Sequence, residues 1–190
     1  MDGLVSLDER VFLALNRAWS PEFDAFFSVA TYLGHGVVLA LLVLGPMALW
    51  DRKRLRVHFL ALVLSVSLGA LAVEGLKSAV GRERPALHFA GAGVAVRLPA
   101  EQLHDQRSFP SGHTQAAVGT ATYVALLYPG LAPWAVFGAL LVGWSRIYLG
   151  VHFPLDVLAG AAVGVLFSVA GFTLRRRLRG SRPSSRSTAG

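Results

Sequence analysis

The chain has 190 residues, of which 54% are hydrophobic and 15% charged, with a net charge of +7 and no cysteine. Such a composition is too apolar for an ordinary soluble domain and reads as one membrane domain, and it excludes disulfides and thiolate metal sites. The positive charge does not point to nucleic acid: Arg52, Lys53, Arg54 and Arg56, and again Arg175, Arg176, Arg177 and Arg179, each flank an apolar run, the pattern of segments retained in the cytoplasm.

Leu4, Leu7, Val11, Phe12, Leu15 and Trp19 recur at helical spacing, which predicts an amphipathic helix over residues 4–19. Ser6-Leu7-Asp8-Glu9 reads as a capping box at its start, and Pro21 follows its end. This helix is too short and too charged to cross a bilayer and is expected to lie in the interface. Asp2, Asp8 and Glu9 stand where a signal peptide carries its basic start, so no cleaved leader is expected.

Five spans follow, at about 26–50, 57–76, 113–128, 134–149 and 154–174. The first is interrupted by Gly34-His35-Gly36, either as a kink or as the end of a separate short helix. Residues 85–110 mix Gly, Pro and the charges Arg97, Glu101, Asp105 and Arg107, and read as an extramembrane loop that is a candidate lid. Residues 1–175 then form a single all-α membrane bundle, with 176–190 as a basic, disordered cytoplasmic tail. Four crossings separate the two basic clusters, which puts both on the cytoplasmic side. The same count gathers residues 77–84, 111–113 and 146–156 on the opposite, outer face.

That face carries cations against the positive-inside rule, and a charge deep in a bilayer costs roughly 2.5 to 3.5 kcal/mol on insertion scales. A chemical use is therefore expected. Lys77, Arg84 and Arg146 together can neutralise a phosphoryl group, the arginines through two donors each. Ser111 suits the N-cap of the third span, which aims the N–H groups of Gly112 and His113 at an anion. Pro154 opens the fifth span and Asp156 falls in its first turn, within reach of one ring nitrogen of His152; the other is left to attack phosphorus.

Three patterns carry these residues: Lys77-x6-Arg84-Pro85, Pro110-Ser111-Gly112-His113, and Ser145-Arg146-x5-His152-x3-Asp156. They resemble the signatures of the type 2 phosphatidic acid phosphatase family, whose fold is shared with bacterial acid phosphatases and vanadium haloperoxidases. The resemblance covers residues 57–174. It implies an integral membrane lipid phosphatase acting on a lipid phosphomonoester or pyrophosphate, such as undecaprenyl pyrophosphate, phosphatidylglycerol phosphate or phosphatidic acid. The short polar loop favours the first. By the same resemblance His152 is the nucleophile that becomes a phosphohistidine, Asp156 orients it, and His113 protonates the leaving oxygen. Lys77, Arg84, Ser111, Gly112 and Arg146 bind the phosphate, with no metal and no cofactor. The alternatives are vanadate-dependent halide oxidation and a catalytically silent lipid-binding or transport protein.

The remaining histidines, His35, His58, His88 and His104, match no metal-ligand spacing and read as interface or loop residues. Glu74, one turn before Lys77, is expected to pair with it. Gly160-x3-Gly164 reads as close packing within the bundle, with a homodimer seam as the alternative.

Overall fold

The computed structural model describes residues 2–17, 20–90, 93–96 and 106–180, with side chains from residue 7 onward apart from those of 21 and 180. Trp19, Arg97, Glu101, His104, Asp105 and residues 181–190 of the tail expected at 176–190 lie outside the described residues. In chain order the elements are α1 (Asp2–Arg17), α2 (Pro21–Ala30), a 3-10 turn (Thr31–Gly34), α3 (Gly36–Trp50), α4 (Arg52–Val80), α5 (Pro85–Ala90) and α6 (Gly112–Leu127). A second 3-10 turn (Pro129–Leu131), α7 (Ala132–Tyr148) and α8 (Pro154–Gly180) complete it. The described residues hold no strand, only an isolated bridge between Glu83 and Arg107.

The chain is a helical membrane protein. Among the described residues, α4, the segment Pro129–Tyr148 and α8 are long and apolar enough to cross a bilayer. The first expected span is instead a pair, Glu22–Gly34 and Gly36–Trp50, bent by 66°. The interruption is thus a helix break, and packing explains its position. A Cβ on Gly34 would stand 2.7 Å from Val142 and 3.0 Å from the Cβ of His113, so only glycine lets this backbone lie against α6 and α7.

The third expected span, α6, has 16 residues and is about 24 Å long, short of the hydrocarbon layer. Its composition fits its place, since it packs against α3, α4, α7 and α8, and its Thr114, Gln115, Thr120 and Tyr123 are buried by protein rather than lipid. Gly119 of α6 lies against Gly164 of α8, and Gly160 against the backbone of Ser111. The Gly160-x3-Gly164 stripe is therefore used inside the bundle.

Several boundaries differ from expectation for identifiable reasons. α4 starts at the basic cluster rather than after it, because the Asp51 carboxylate accepts from the Arg54 N–H at 3.1 Å and caps the helix. It continues to Gly81, which closes it in the left-handed conformation at φ 61°. α8 passes the expected end at 174 and keeps 176–180 helical, since arginine is a good helix former and Arg175 Nε donates to the Val57 carbonyl at 2.7 Å. α1 begins at Asp2, ahead of the start expected at Ser6, and Asp8 and Glu9 have tertiary partners.

α1 lies across one end of the bundle. Phe12 is fully buried, with its ring centroid 5.2 Å from that of Phe153 and 5.9 Å from that of Phe89, while Leu7 and Val11 face outward. Asn16 Nδ2 donates to the Tyr148 carbonyl at 3.0 Å. The 85–110 loop is held at both ends: α5 contributes Phe89 to this cluster, Arg84 N–H donates to the Gln106 carbonyl at 3.1 Å, and Ser108 N–H to the Arg82 carbonyl at 2.7 Å.

Candidate active site

Residues from five separate stretches converge at the end that α1 covers. Lys77 stands in the last turn of α4, Arg84 just before α5, Ser111 to His113 at the start of α6, Arg146 in the last turn of α7, and Asp156 in the first turn of α8. His152 occupies the turn between α7 and α8. The two basic clusters are at the far end, where Arg54 lies over the ring of Tyr128 and Arg175 bonds Val57.

The α7–α8 turn is closed on the carbonyl of Arg146, which accepts from the N–H groups of Val151 and His152, each at 3.2 Å. Gly150 makes the reversal at φ 73°, a conformation costly for any residue with a Cβ. The turn therefore fixes Arg146 and His152 relative to each other. Arg146 is further held by the 3-10 turn after α2, where its Nη1 donates to Thr31 Oγ1 at 2.7 Å, both residues being buried. His113 lies within the electrostatic reach of Arg146, His152, His35 and Arg84, and His152 within that of Arg146, Asp156 and Arg84. Lys77 is on the same end with its ammonium 3.3 Å from Glu74, the pairing expected of them.

Ser111 is the N-cap of α6, but its hydroxyl is wholly buried and accepts from the N–H and the Oγ1 of Thr114, at 3.4 and 3.0 Å. Its own N–H donates to the Asp156 carbonyl at 2.9 Å. Ser111 thus serves the site by starting the helix and tying it to α8. The N–H groups of Gly112 and His113 occupy the first helical positions, where the helix itself offers them no acceptor.

Asp156 is completely buried. One carboxylate oxygen, Oδ2, accepts from the Phe153 N–H at 2.8 Å and stands 3.6 Å from His152 Nδ1, close but beyond a hydrogen bond. The other, Oδ1, accepts from Arg82 Nη1 at 2.8 Å. Burial pushes the His152 imidazole down to about 4, only partly opposed by the neighbouring Asp156, so the ring is neutral near pH 7 and keeps a lone pair. Among the described residues no group of three or more His, Asp and Glu side chains is arranged to hold a metal ion.

Three residues at this end escaped the sequence reading. Arg82 bonds Asp156, Asp8 of α1 bonds Arg82, and Thr31 holds Arg146. Only Arg82 had a local signal, its place between Lys77 and Arg84; the partners of Asp8 and Thr31 are distant in sequence.

The chain is 35% identical over 108 residues to a lipid A 1-phosphatase of Rhizobium johnstonii, an alignment covering 57% of this chain and 44% of the relative. It is 34% identical over 114 residues to an undecaprenyl-diphosphatase of Sulfolobus acidocaldarius, covering 59% of this chain and 52% of the relative. These alignments therefore span about half the length of each relative. Its fold matches the crystal structure of a transmembrane PAP2-type phosphatidylglycerolphosphate phosphatase from Bacillus subtilis, with a TM-score of 0.72 and 26% identity, over 98% of this chain and 90% of that one. Residues 58–179 match the PAP2 superfamily. Since that stretch runs from α4 to the end of α8 and carries all three motifs with the residues that converge here, the chain belongs to the PAP2 superfamily.

Proposed function

We propose that this protein is a membrane lipid phosphatase that releases phosphate from a lipid phosphomonoester or pyrophosphate through a phosphohistidine. The observation that carries the reading is the convergence of three arginine or lysine cations, a helix N-terminus and a buried neutral histidine beside a carboxylate, at one end of a membrane bundle. Nδ1 of His152 faces Asp156, which leaves Nε2 to attack phosphorus. Lys77, Arg84 and Arg146, with the N–H groups of Gly112 and His113, stabilise the charge on the transferring phosphoryl oxygens. As the P–N bond forms, the P–O bond to the lipid breaks and His113 gives its proton to the leaving oxygen. Water then attacks the phosphohistidine, His113 takes back a proton, the P–N bond breaks, and phosphate leaves with His152 neutral again.

A lipid substrate is favoured over a soluble one by an apolar cleft of about 210 Å³ that Gly36, Leu39, Ala40, Val43, Leu62 and Val66 line between α3, α4 and α6. Gly36 is two residues from Gly34, whose backbone lies against His113, so a hydrocarbon chain in the cleft runs up to the site. The three relatives carry names for lipid A, undecaprenyl diphosphate and phosphatidylglycerolphosphate. Undecaprenyl pyrophosphate is the first expected substrate, its head being little more than the phosphates themselves. The test is phosphate release by purified protein in detergent from these three lipids and phosphatidic acid, with EDTA present. Release from at least one, inhibited competitively by vanadate as a mimic of the transferring group, is expected; no release from any of them defeats the proposal.

The site belongs on the outer face, because the basic clusters at the other end favour the cytoplasm. Arg107 flanks the site at 39% side-chain exposure. A cysteine placed there should react with a membrane-impermeant thiol reagent in intact cells, and protection until lysis would reverse the orientation.

A further inference from the structure

Asp8 and Arg82 take no part in the mechanism above, yet they form the best-connected polar chain at this end. The Asp8 carboxylate, on α1, is 1% exposed. Its Oδ2 bonds Arg82 Nη2 at 2.6 Å and its Oδ1 accepts from the Leu155 N–H at 2.8 Å, in the first turn of α8. Arg82 gives its other terminal nitrogen, Nη1, to Asp156 Oδ1 at 2.8 Å, and its guanidinium lies 4.0 Å over the ring of Phe153. Two carboxylates and an aromatic face therefore hold Arg82. Both of its terminal nitrogens point at carboxylates.

We infer that Asp8 and Arg82 are positioning residues for the His152–Asp156 pair, and that α1 is thereby a working part of the site. This rests on the reading of His152 as the nucleophile. An arginine beside a lone carboxylate tends to engage both of its oxygens. Here Asp8 takes one arm of Arg82, so Arg82 engages Asp156 through Oδ1 alone, and Oδ2 stays directed at the Phe153 N–H and His152 Nδ1. The 3.6 Å separation needs to shorten by less than an ångström to become a hydrogen bond, as catalytic contacts commonly do when substrate binds. Arg82 also sets a positive charge against the buried Asp156. Without Asp8, Arg82 is free to clasp both oxygens of Asp156 and draw Oδ2 away from the ring. Without Arg82, the orientation and the countercharge are both lost.

The test uses the full chain in detergent micelles, with phosphatidic acid and undecaprenyl pyrophosphate as probes. kcat, KM and the thermal midpoint are measured for the wild type, Asp8→Asn, Arg82→Gln, Arg82→Lys, the double variant Asp8→Asn with Arg82→Gln, and His152→Ala. Arg82→Gln is expected to lower kcat about 10- to 100-fold, as loss of an orienting partner typically does, with KM within about twofold of wild type. Asp8→Asn lowers kcat in the same way, Arg82→Lys recovers part of the loss, and the double variant is no worse than Arg82→Gln, because Asp8 acts through Arg82. A role in folding alone would move the thermal midpoint and leave the kcat of the folded fraction intact. If Arg82→Gln cannot be recovered folded, Asp8→Asn, which exchanges one oxygen for an amide, decides by itself. An inactive His152→Ala beside wild-type kcat in Asp8→Asn and Arg82→Gln overturns this inference alone. A fully active His152→Ala overturns the nucleophile reading and this inference with it.

Discussion

Exchange of His152 for alanine should lower kcat for phosphate release by about ten-thousand-fold, as removal of a covalent nucleophile does in other enzymes. No neighbour is placed to substitute. Asp156 is wholly buried, with its oxygens bonded to Arg82 and the Phe153 N–H. His113, which lies within the electrostatic reach of His152, is in the first turn of α6, and its proposed part is proton transfer. The cations remain, so substrate affinity should change far less than kcat. Acid-quench is avoided in the accompanying label experiment, because a phosphohistidine is labile to acid and stable to base. Wild-type protein mixed with phosphorus-labelled lipid and quenched in base should carry protein-bound label, and the variant none. Residual kcat within tenfold of wild type would remove His152 from the nucleophilic role.

The largest stability effect is expected not at a charged residue but at Gly160. A Cβ there would collide with the carbonyl oxygen of Ser111 and stand 3.2 and 3.3 Å from its carbonyl carbon and nitrogen, all backbone atoms that no rotamer can move. Gly160→Ala must therefore push α8 from the start of α6, at about 3 kcal/mol, the upper part of the range for overpacking. The same displacement strains the 2.9 Å bond from the Ser111 N–H to the Asp156 carbonyl, so activity should fall together with the thermal midpoint. Gly138→Ala is the matched control, since a Cβ on that residue of α7 meets nothing within 4 Å. It should leave the midpoint unchanged or raise it slightly, as alanine is the better helix former by about 1 kcal/mol. A Gly160→Ala protein as stable as Gly138→Ala would contradict the packing of α6 on α8.

What could be read in advance was what chemistry and spacing dictate locally. Pro154 with Asp156 announces a helix start, Ser111 announces another, and arginines beside apolar runs mark a bundle in a membrane. The bends and polar ties resisted because they are set by contacts between distant residues. Asp8 reads as the polar side of an amphipathic helix until Arg82, 74 residues away, is brought beside it. Gly34 reads equally as a kink or a break until Val142 and His113 close on it. Ser111 has one hydroxyl, and only the placement of Thr114 shows that its acceptor side is used by the helix. Length misled in one case: α6 needs no lipid-matched apolar run, because protein surrounds it.

The break before α3 divides the first crossing into two segments with unequal tolerance for change. Through Thr31 the first segment is bonded to Arg146, so a residue inserted or deleted between 21 and 34 disturbs the support of that arginine. Beyond His35, α3 presents Val37, Leu41, Leu42 and Leu49 as an exposed apolar face, while Met47 is buried and Leu39 and Val43 line the cleft, so substitutions on the outer face exchange one greasy surface for another. Sequence drift should accordingly be fast at those four outer positions of α3 and slow at Thr31 and its neighbours, although a hydropathy plot draws them as a single span.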